Sequence, residues 1–211
     1  MALFRLGGAS ENVTFVKGEG LYLRPPEMRD FDSWARLRDA SRTFLTPWEP
    51  IWPNDDLTRS AYRRRVRRNE HEIEVDEAYS LFLFREQDDV LMGGLTLGQI
   101  RRGVAQAATL GYWMGAPYAG KGYMTRAVRA ATSYAFSTLR LHRIEAACIP
   151  TNAPSMRLLE KAGFQKEGYA RSYLRINGQW EDHVLYALLE YDPPGIRQSR
   201  VSDLTMSDRK P

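Results

Sequence analysis

The run Leu110-Gly111-Tyr112-Trp113-Met114-Gly115-Ala116-Pro117-Tyr118-Ala119-Gly120-Lys121-Gly122-Tyr123-Met124 decides the fold. It reads as a strand, a glycine-bearing turn and a helix start. Beyond it Ala127, Val128, Ala131, Tyr134 and Ala135 continue from Met124 at i, i+3, i+4 spacing, which predicts a helix of about four turns ending near Leu139. Such a junction can bind an anion. Gly120 and Gly122 let the backbone approach a ligand, the first helical N–H groups lack intrahelical partners, and the helix dipole favours negative charge. The run is not a nucleotide P-loop, because no Gly-Lys-Ser/Thr follows the glycines, nor a Gly-x-Gly-x-x-Gly fingerprint, because residue 125 is Thr. On spacing alone, a merely tight turn remains the other reading.

Upstream, Gly20 to Arg24 alternates like a short strand closed by Pro25-Pro26, and Phe31, Trp34, Ala35 and Leu37 recur at helical spacing from about Asp30. Phe44-Leu45-Thr46-Pro47-Trp48-Glu49-Pro50-Ile51-Trp52-Pro53 reads as a shaped loop, since its prolines interrupt any regular helix. A helix over about 56–73 follows, then strands over 79–85, 90–99 and 105–115 in a meander. Downstream come a strand over 143–149, a short helix from Ser155 to Ala162 stopped by Gly163, and strands over about 167–176 and 180–190 joined at Asn177-Gly178, a strong hairpin signal. This order predicts an α/β fold, one domain built on a mixed sheet. Residues 1–19 read as an N-terminal extension, 20–191 as the domain, and 192–211, with three prolines and few apolar anchors, as a flexible C-terminal tail.

With 211 residues, 43% of them hydrophobic and 27% charged, the chain is long enough to bury a core without staples, and its composition excludes disorder and low complexity. A single cysteine, Cys148, excludes an internal disulfide, and His71, His142 and His183 show no metal-ligand spacing. A cytoplasmic protein with no metal and no membrane segment is expected. The net charge of +4 is local. Arg59, Arg63, Arg64, Arg65, Arg67 and Arg68 fall in one helix over an apolar stripe, and without them the balance would be −2. That helix is either a solvated face or a contact for RNA, the ribosome or an acidic partner.

The chain resembles the GNAT N-acetyltransferase superfamily, and within it the ribosomal-protein alanine N-acetyltransferases of the Rim (RimJ/RimL-like) type. Three blocks between about residues 20 and 191 carry the resemblance. They are Phe44 to Pro50; Leu110 to Met124; and His142-Arg143-Ile144-Glu145-Ala146 through Asn152, Ser155, Leu158-Leu159-Glu160, Gly163-Phe164, Glu167-Gly168-Tyr169-Ala170, Asn177-Gly178-Gln179-Trp180 and Asp182-His183. The resemblance implies a mostly antiparallel sheet flanked by helices and transfer of acetyl from acetyl-CoA to a primary amine, foremost the N-terminal α-amine of a ribosomal or similar protein. It also implies that the CoA pyrophosphate binds over Ala119, Gly120, Lys121, Gly122, Tyr123 and Met124. Ala119 and Met124 depart from the superfamily's Gln/Arg-x-x-Gly-x-Gly/Ala pattern, which removes a side-chain contact at Ala119 but leaves the backbone cradle. Lys121 either adds charge near the phosphates or is a solvated loop lysine.

By the same resemblance, backbone groups of Met114 and its neighbours run beside the pantetheine, Asn152 lies near the thioester, and Ser155 protonates the departing thiolate. A tyrosine acid, common in the superfamily on the helix after Asn152, has no counterpart in Leu158-Leu159-Glu160, so Ser155 is preferred over Tyr169 and Tyr173. Asn152 also suits a helix cap. The amine attacks the thioester directly, with Glu49 or Glu145 as base, and no acyl-enzyme on Cys148 is expected. Trp48, Glu49, Trp52 and Tyr112 are expected to line the acceptor side. The alternatives are a small-molecule amine acetyltransferase, or an RNA-associated binding protein with acetylation secondary.

Overall fold

The computed structural model describes residues 16–192. Its sheet has eight strands in the order β1-β2-β3-β4-β5-β6-β8-β7. In the chain these are β1 (Val16–Gly18), β2 (Leu21–Arg24), β3 (Tyr79–Arg85), β4 (Leu91–Arg101), β5 (Ala107–Met114), β6 (Arg143–Cys148), β7 (Gln165–Ile176) and β8 (Gln179–Leu189). The helices are α1 (Phe31–Ala40), α2 (Arg42–Leu45), α3 (Arg59–Glu74), α4 (Tyr123–Ser137) and α5 (Ala153–Ala162). Every neighbouring pair is antiparallel except β5 with β6. This is the mixed, mostly antiparallel sheet that the sequence predicts, with helices on both faces.

Strand alternation sends Leu81, Leu83, Leu95, Leu97, Ala108, Leu110, Ile144, Ala146, Val184 and Tyr186 into one core with Ala127, Val128 and Ala131 of α4 and Leu159 of α5. Phe82 and Phe84 meet Trp34 of α1 and Tyr62 and Val66 of α3 on the opposite face, with Trp113 packed against them. Asn177 and Gly178, at φ 44° and 82°, form the two-residue turn between β7 and β8.

Two stretches differ from the sequence reading. Val16–Gly18, within the stretch read as an extension, pairs with β2 as the outermost strand, while residues 1–15 and 193–211 lie outside the described residues. The aromatic connector begins as helix α2 and continues as a 3-10 turn over Thr46–Trp48. Pro47 falls at the start of that turn, where a missing N–H breaks no helical bond. Likewise α5 begins at Ala153 rather than Ser155, because Pro154 is tolerated in the first turn. Among the described residues no helix is long and apolar enough to cross a membrane.

Under β2, Arg24 donates to Asp30 Oδ2 and Oδ1 at 2.7 and 2.6 Å, with both side chains nearly sealed at 5% and 6% exposure. Asp30 Oδ2 also accepts the Glu27 N–H at 2.8 Å, fixing the chain where it turns into α1. Asp30→Ala strands a buried guanidinium and is expected to destabilise the fold by roughly 3–5 kcal/mol. Urea denaturation checks this; a loss below about 1 kcal/mol would show that Arg24 finds solvent instead.

Candidate functional site

The turn from β5 into α4 puts Gly120 at φ 74° and Gly122, the helix N-cap, at φ 78°. A side chain at either position would be strained. A Cβ built on each meets nothing within 4 Å, so the turn faces open space. No described residue accepts a hydrogen bond from the backbone N–H groups of Gly120 through Thr125, the first such bond being Arg126 N–H to Gly122 O at 3.2 Å. Six backbone donors therefore lie at or just before the positive end of a 15-residue helix. Such a turn can receive an anionic group. Lys121 is exposed beside it, and Met124 is buried in the core, so Met124 contributes backbone only.

A gap in the sheet leads away from the turn. β5 pairs with β6 only at Ala107↔Arg143, Ala108↔Ile144 and Thr109↔Glu145. Arg143 N–H donates to Gln106 O at 3.1 Å on this side of β5, and Gly115 N–H donates to Met92 O at 2.8 Å on the other. Backbone alternation along β5 then turns the polar groups of Leu110, Tyr112 and Met114 toward the gap, where no described strand meets them. An extended amide-bearing chain fits such an edge as a surrogate strand.

At the gap Tyr112 Oη lies 2.7 Å from Ser155 Oγ, the structure allowing either atom to donate. Burial pushes the Tyr112 phenol far up while the Ser155 bond pulls it down, so the ring stays protonated. Asn152 Oδ1 accepts the Ser155 N–H at 3.2 Å and caps α5, placing the hydroxyl in the first helical turn. Cys148 Sγ lies 3.6 Å from the carbonyls of Ile149 and Asn152. Burial raises the Cys148 thiol, against a smaller lowering from Ser155, which disfavours the thiolate a nucleophile needs.

On the other face, the aromatic loop is held by Glu49. Arg38 donates to both its oxygens at 2.7 Å, and Trp52 Nε1 donates to Oε2 at 2.7 Å. The same guanidinium lies 4.0 Å over the Trp52 ring and 5.0 Å from Trp113 on β5. Glu49 O accepts the Asn177 N–H at 2.8 Å, tying the loop to the β7–β8 turn. Trp48 is half-buried at the end of the 3-10 turn. The sequence reading missed Arg38; an arginine on a helix gives no sign that it will be 8% exposed between two tryptophans.

Glu145 sits at the closed end of the gap, bonded to Arg101 and, at 2.9 Å, to Arg143 Nε. Burial alone would raise its carboxyl, but the two arginines outweigh it and hold the group below the ordinary carboxylate range. Tyr169 donates to Asp182 Oδ2 at 2.6 Å and Tyr173 packs edge-on against His183, so both are engaged on the β7–β8 ribbon. In the arginine helix Arg59 covers Phe31, Arg65 covers Trp34 and pairs with Asp56, Arg64 pairs with Asp55 and Arg68 with Glu72. These four arginines have partners within the protein, whereas no ion pair or ring contact is seen for Arg63 and Arg67 among the described residues.

Comparison with known proteins agrees with this geometry. The acetyltransferase (GNAT) domain profile matches residues 20–165. A probable N-acetyltransferase, YjcK of Bacillus subtilis (strain 168), is 44% identical over 177 residues, covering 84% of this chain and 98% of the relative. The [ribosomal protein uS5]-alanine N-acetyltransferase of Escherichia coli (strain K12) is 38% identical over 168 residues, covering 78% of this chain and 86% of the relative. Among solved structures, Mycobacterium smegmatis RimJ in complex with CoA-disulfide superposes with a TM-score of 0.77 at 31% identity, covering 82% of this chain and 85% of that one.

Because burial both covers Cys148 and raises its thiol, alkylation by iodoacetamide near pH 8 is expected to be at least about tenfold slower in the native protein than in urea. Equal rates, read by mass spectrometry, would place an open thiolate at this position.

Proposed function

This chain belongs to the GNAT acetyltransferases and is an acetyl-CoA-dependent N-acetyltransferase, and on that premise we propose that its acceptor is a protein's N-terminal α-amine, of the alanine type, on a ribosomal or other cytoplasmic protein. The observation that carries the reading is the combination of six N–H groups without an acceptor among the described residues, a β5 edge that no described strand pairs, and the Tyr112–Ser155 pair beside it. The 38% identical relative that acts on an alanine terminus of ribosomal protein uS5 supports the acceptor class.

In this reading Gly120, Lys121, Gly122, Tyr123 and Met124 hold the CoA diphosphate through backbone N–H groups, Ala119, whose N–H donates to Ala116 O at 3.3 Å, only leads the chain into the turn, and the edge ending at Met114 holds the pantetheine amides. Bound acetyl-CoA supplies the activated acetyl as a thioester. Asn152 fixes Ser155 by capping α5. Ser155 Oγ donates its proton to the sulfur that departs and takes one from Tyr112 Oη, the phenol being resupplied by solvent. Trp48, Trp52 and Tyr112 border the acceptor. Glu49, with both oxygens engaged by Arg38 and Trp52, shapes that border rather than accepting a proton, and the ion-paired Glu145 is equally unsuited to be the base. An α-amine needs little help: its ordinary pKa is about 8, against about 10.4 for lysine.

Acetyl-CoA turnover against peptides beginning with alanine, serine or methionine, lysine peptides with blocked termini, and small amines tests the acceptor class by mass spectrometry. Product only on free α-amines is expected; product on small amines alone would overturn the assignment. Ser155→Ala is expected to lower kcat at least about tenfold with acetyl-CoA affinity within about twofold, and unchanged turnover would remove Ser155 from the chemistry. Gly122→Val is expected to weaken CoA binding at least about tenfold by calorimetry, since a branched residue is strained at this φ and fills the cradle. Normal affinity would contradict the cradle.

A further inference from the structure

His183 lies only 3% exposed on β8, and nothing in the steps above uses it. Its Nδ1 is 3.0 Å from the carbonyl oxygen of Glu181. A carbonyl can only accept, so Nδ1 carries the proton, and in the neutral imidazole Nε2 holds the lone pair. No described residue hydrogen-bonds Nε2. Nor is it sealed, because Arg24 Nε is the only buried side-chain nitrogen or oxygen without a partner among the described residues.

The register places His183 on β8 beside the end of β6, the strand that borders the gap. Val184 pairs with Cys148, so His183 is level with Ile149, the residue whose carbonyl accepts the Asn152 N–H at 2.9 Å and so sets the cap that positions Ser155. Val184, Tyr186 and Leu188 enter the α4–α5 core, and alternation therefore turns His183 to the opposite face of the sheet. The same face of β5 carries Trp113, packed with α1 and α3, and Arg38 lies 5.0 Å from its ring and 4.0 Å over Trp52. Tyr173 closes over the His183 ring at 5.7 Å, held out by an irregularity between Ala170 and Leu174. Asp182 braces that irregularity by accepting the Ser172 N–H at 2.8 Å and the Tyr169 hydroxyl at 2.6 Å.

We propose that His183 Nε2 is the base that takes the proton from the acceptor amine. The inference rests on the α-amine reading above. The amine nitrogen uses its lone pair to form the new C–N bond, and the resulting N–H proton passes to the Nε2 lone pair. The C–S bond breaks with its electrons leaving on sulfur, which takes the Ser155 proton, and the imidazolium returns its proton to solvent. Base and acid then act from opposite faces of the sheet, each on its own atom, the amine nitrogen and the departing sulfur. Imidazole is the side chain that most often serves as base near neutral pH.

His183→Ala is expected to lower kcat by about 100-fold while CoA affinity and melting temperature change little, and exogenous imidazole is expected to restore at least about a tenfold part of the loss. Loss of activity without rescue in a folded variant would assign His183 a packing role and overturn the proposal. A second measurement needs no variant and no turnover. In protein carrying 15N-labelled histidine, an alanine-terminated peptide should shift the His183 imidazole resonances and leave His71 and His142 in place; an unmoved His183 signal overturns the proposal. If the acceptor panel yields product only on small amines, the α-amine reading fails, and rescue with that amine still judges His183.

Discussion

The arrangement depends on the early end of parallel pairing between β5 and β6. Three residue pairs join them, and beyond Thr109↔Glu145 the strands part. Three of the next five residues of β5, Leu110, Tyr112 and Met114, then carry backbone groups toward an edge in the middle of an eight-stranded sheet. Backbone donors and acceptors left unmatched in an interior are unfavourable, so an interior edge persists only if water or a ligand meets it. The two strands are kept apart from both ends. Arg101 and Arg143 clamp Glu145 at the closed end, and at the open end α5 wedges Ser155 against Tyr112.

The opening is stiffened from the other side by a single buried arginine. Arg38 engages both oxygens of Glu49 while its flat face lies on Trp52, and Glu49 in turn reaches the β7–β8 turn through its carbonyl. A planar fork between a carboxylate and an aromatic ring is a geometry that lysine cannot reproduce. Close packing supports it: a Cβ on Gly115 would come within 2.4 Å of Leu37 Cδ1, so any larger residue there would force the Leu37 side chain of α1 to shift. Ser41, 1% exposed, accepts the Ala116 N–H at 2.9 Å at the same contact. The aromatic loop and the end of β5 that leads into the glycine turn are thereby braced on one scaffold.

Much of this was legible in the sequence because its signals are local. The Asn177-Gly178 turn, the α4 periodicity and the Asn152 cap each depend on residues within a few positions, and the strands and helices lie close to where patterning puts them. The glycine turn announced an anion site for the same reason. The Tyr112–Ser155 contact, spanning 43 positions, and the Arg38–Glu49 fork are products of packing, which periodicity does not encode. The arginine run, legible either as a solvated face or as a contact for a partner, acquires its neighbours through packing: Asp55, Asp56 and Glu72 and the rings of Phe31 and Trp34 engage four of its members. Charge counted along a chain overstates the field at a surface when its counter-charges arrive from neighbouring turns.

The protonation states around the gap explain why the site works without a free acid or a free carboxylate. Burial keeps Tyr112 a phenol and Cys148 a thiol, whereas arginines keep Glu145 ionised and weakly basic. Charged groups are thus held at the gap's margins by partners, and the interior that an acyl chain would occupy is lined by neutral hydrogen-bonding groups. In a setting of low dielectric, fixed neutral dipoles require little reorganisation as charge develops on a carbonyl oxygen, while a mobile carboxylate near that oxygen would oppose the charge. A site built this way suits an acceptor that reaches it already neutral. That places the demand for proton transfer after C–N bond formation, on a group with an available lone pair, and not on a strong base before it.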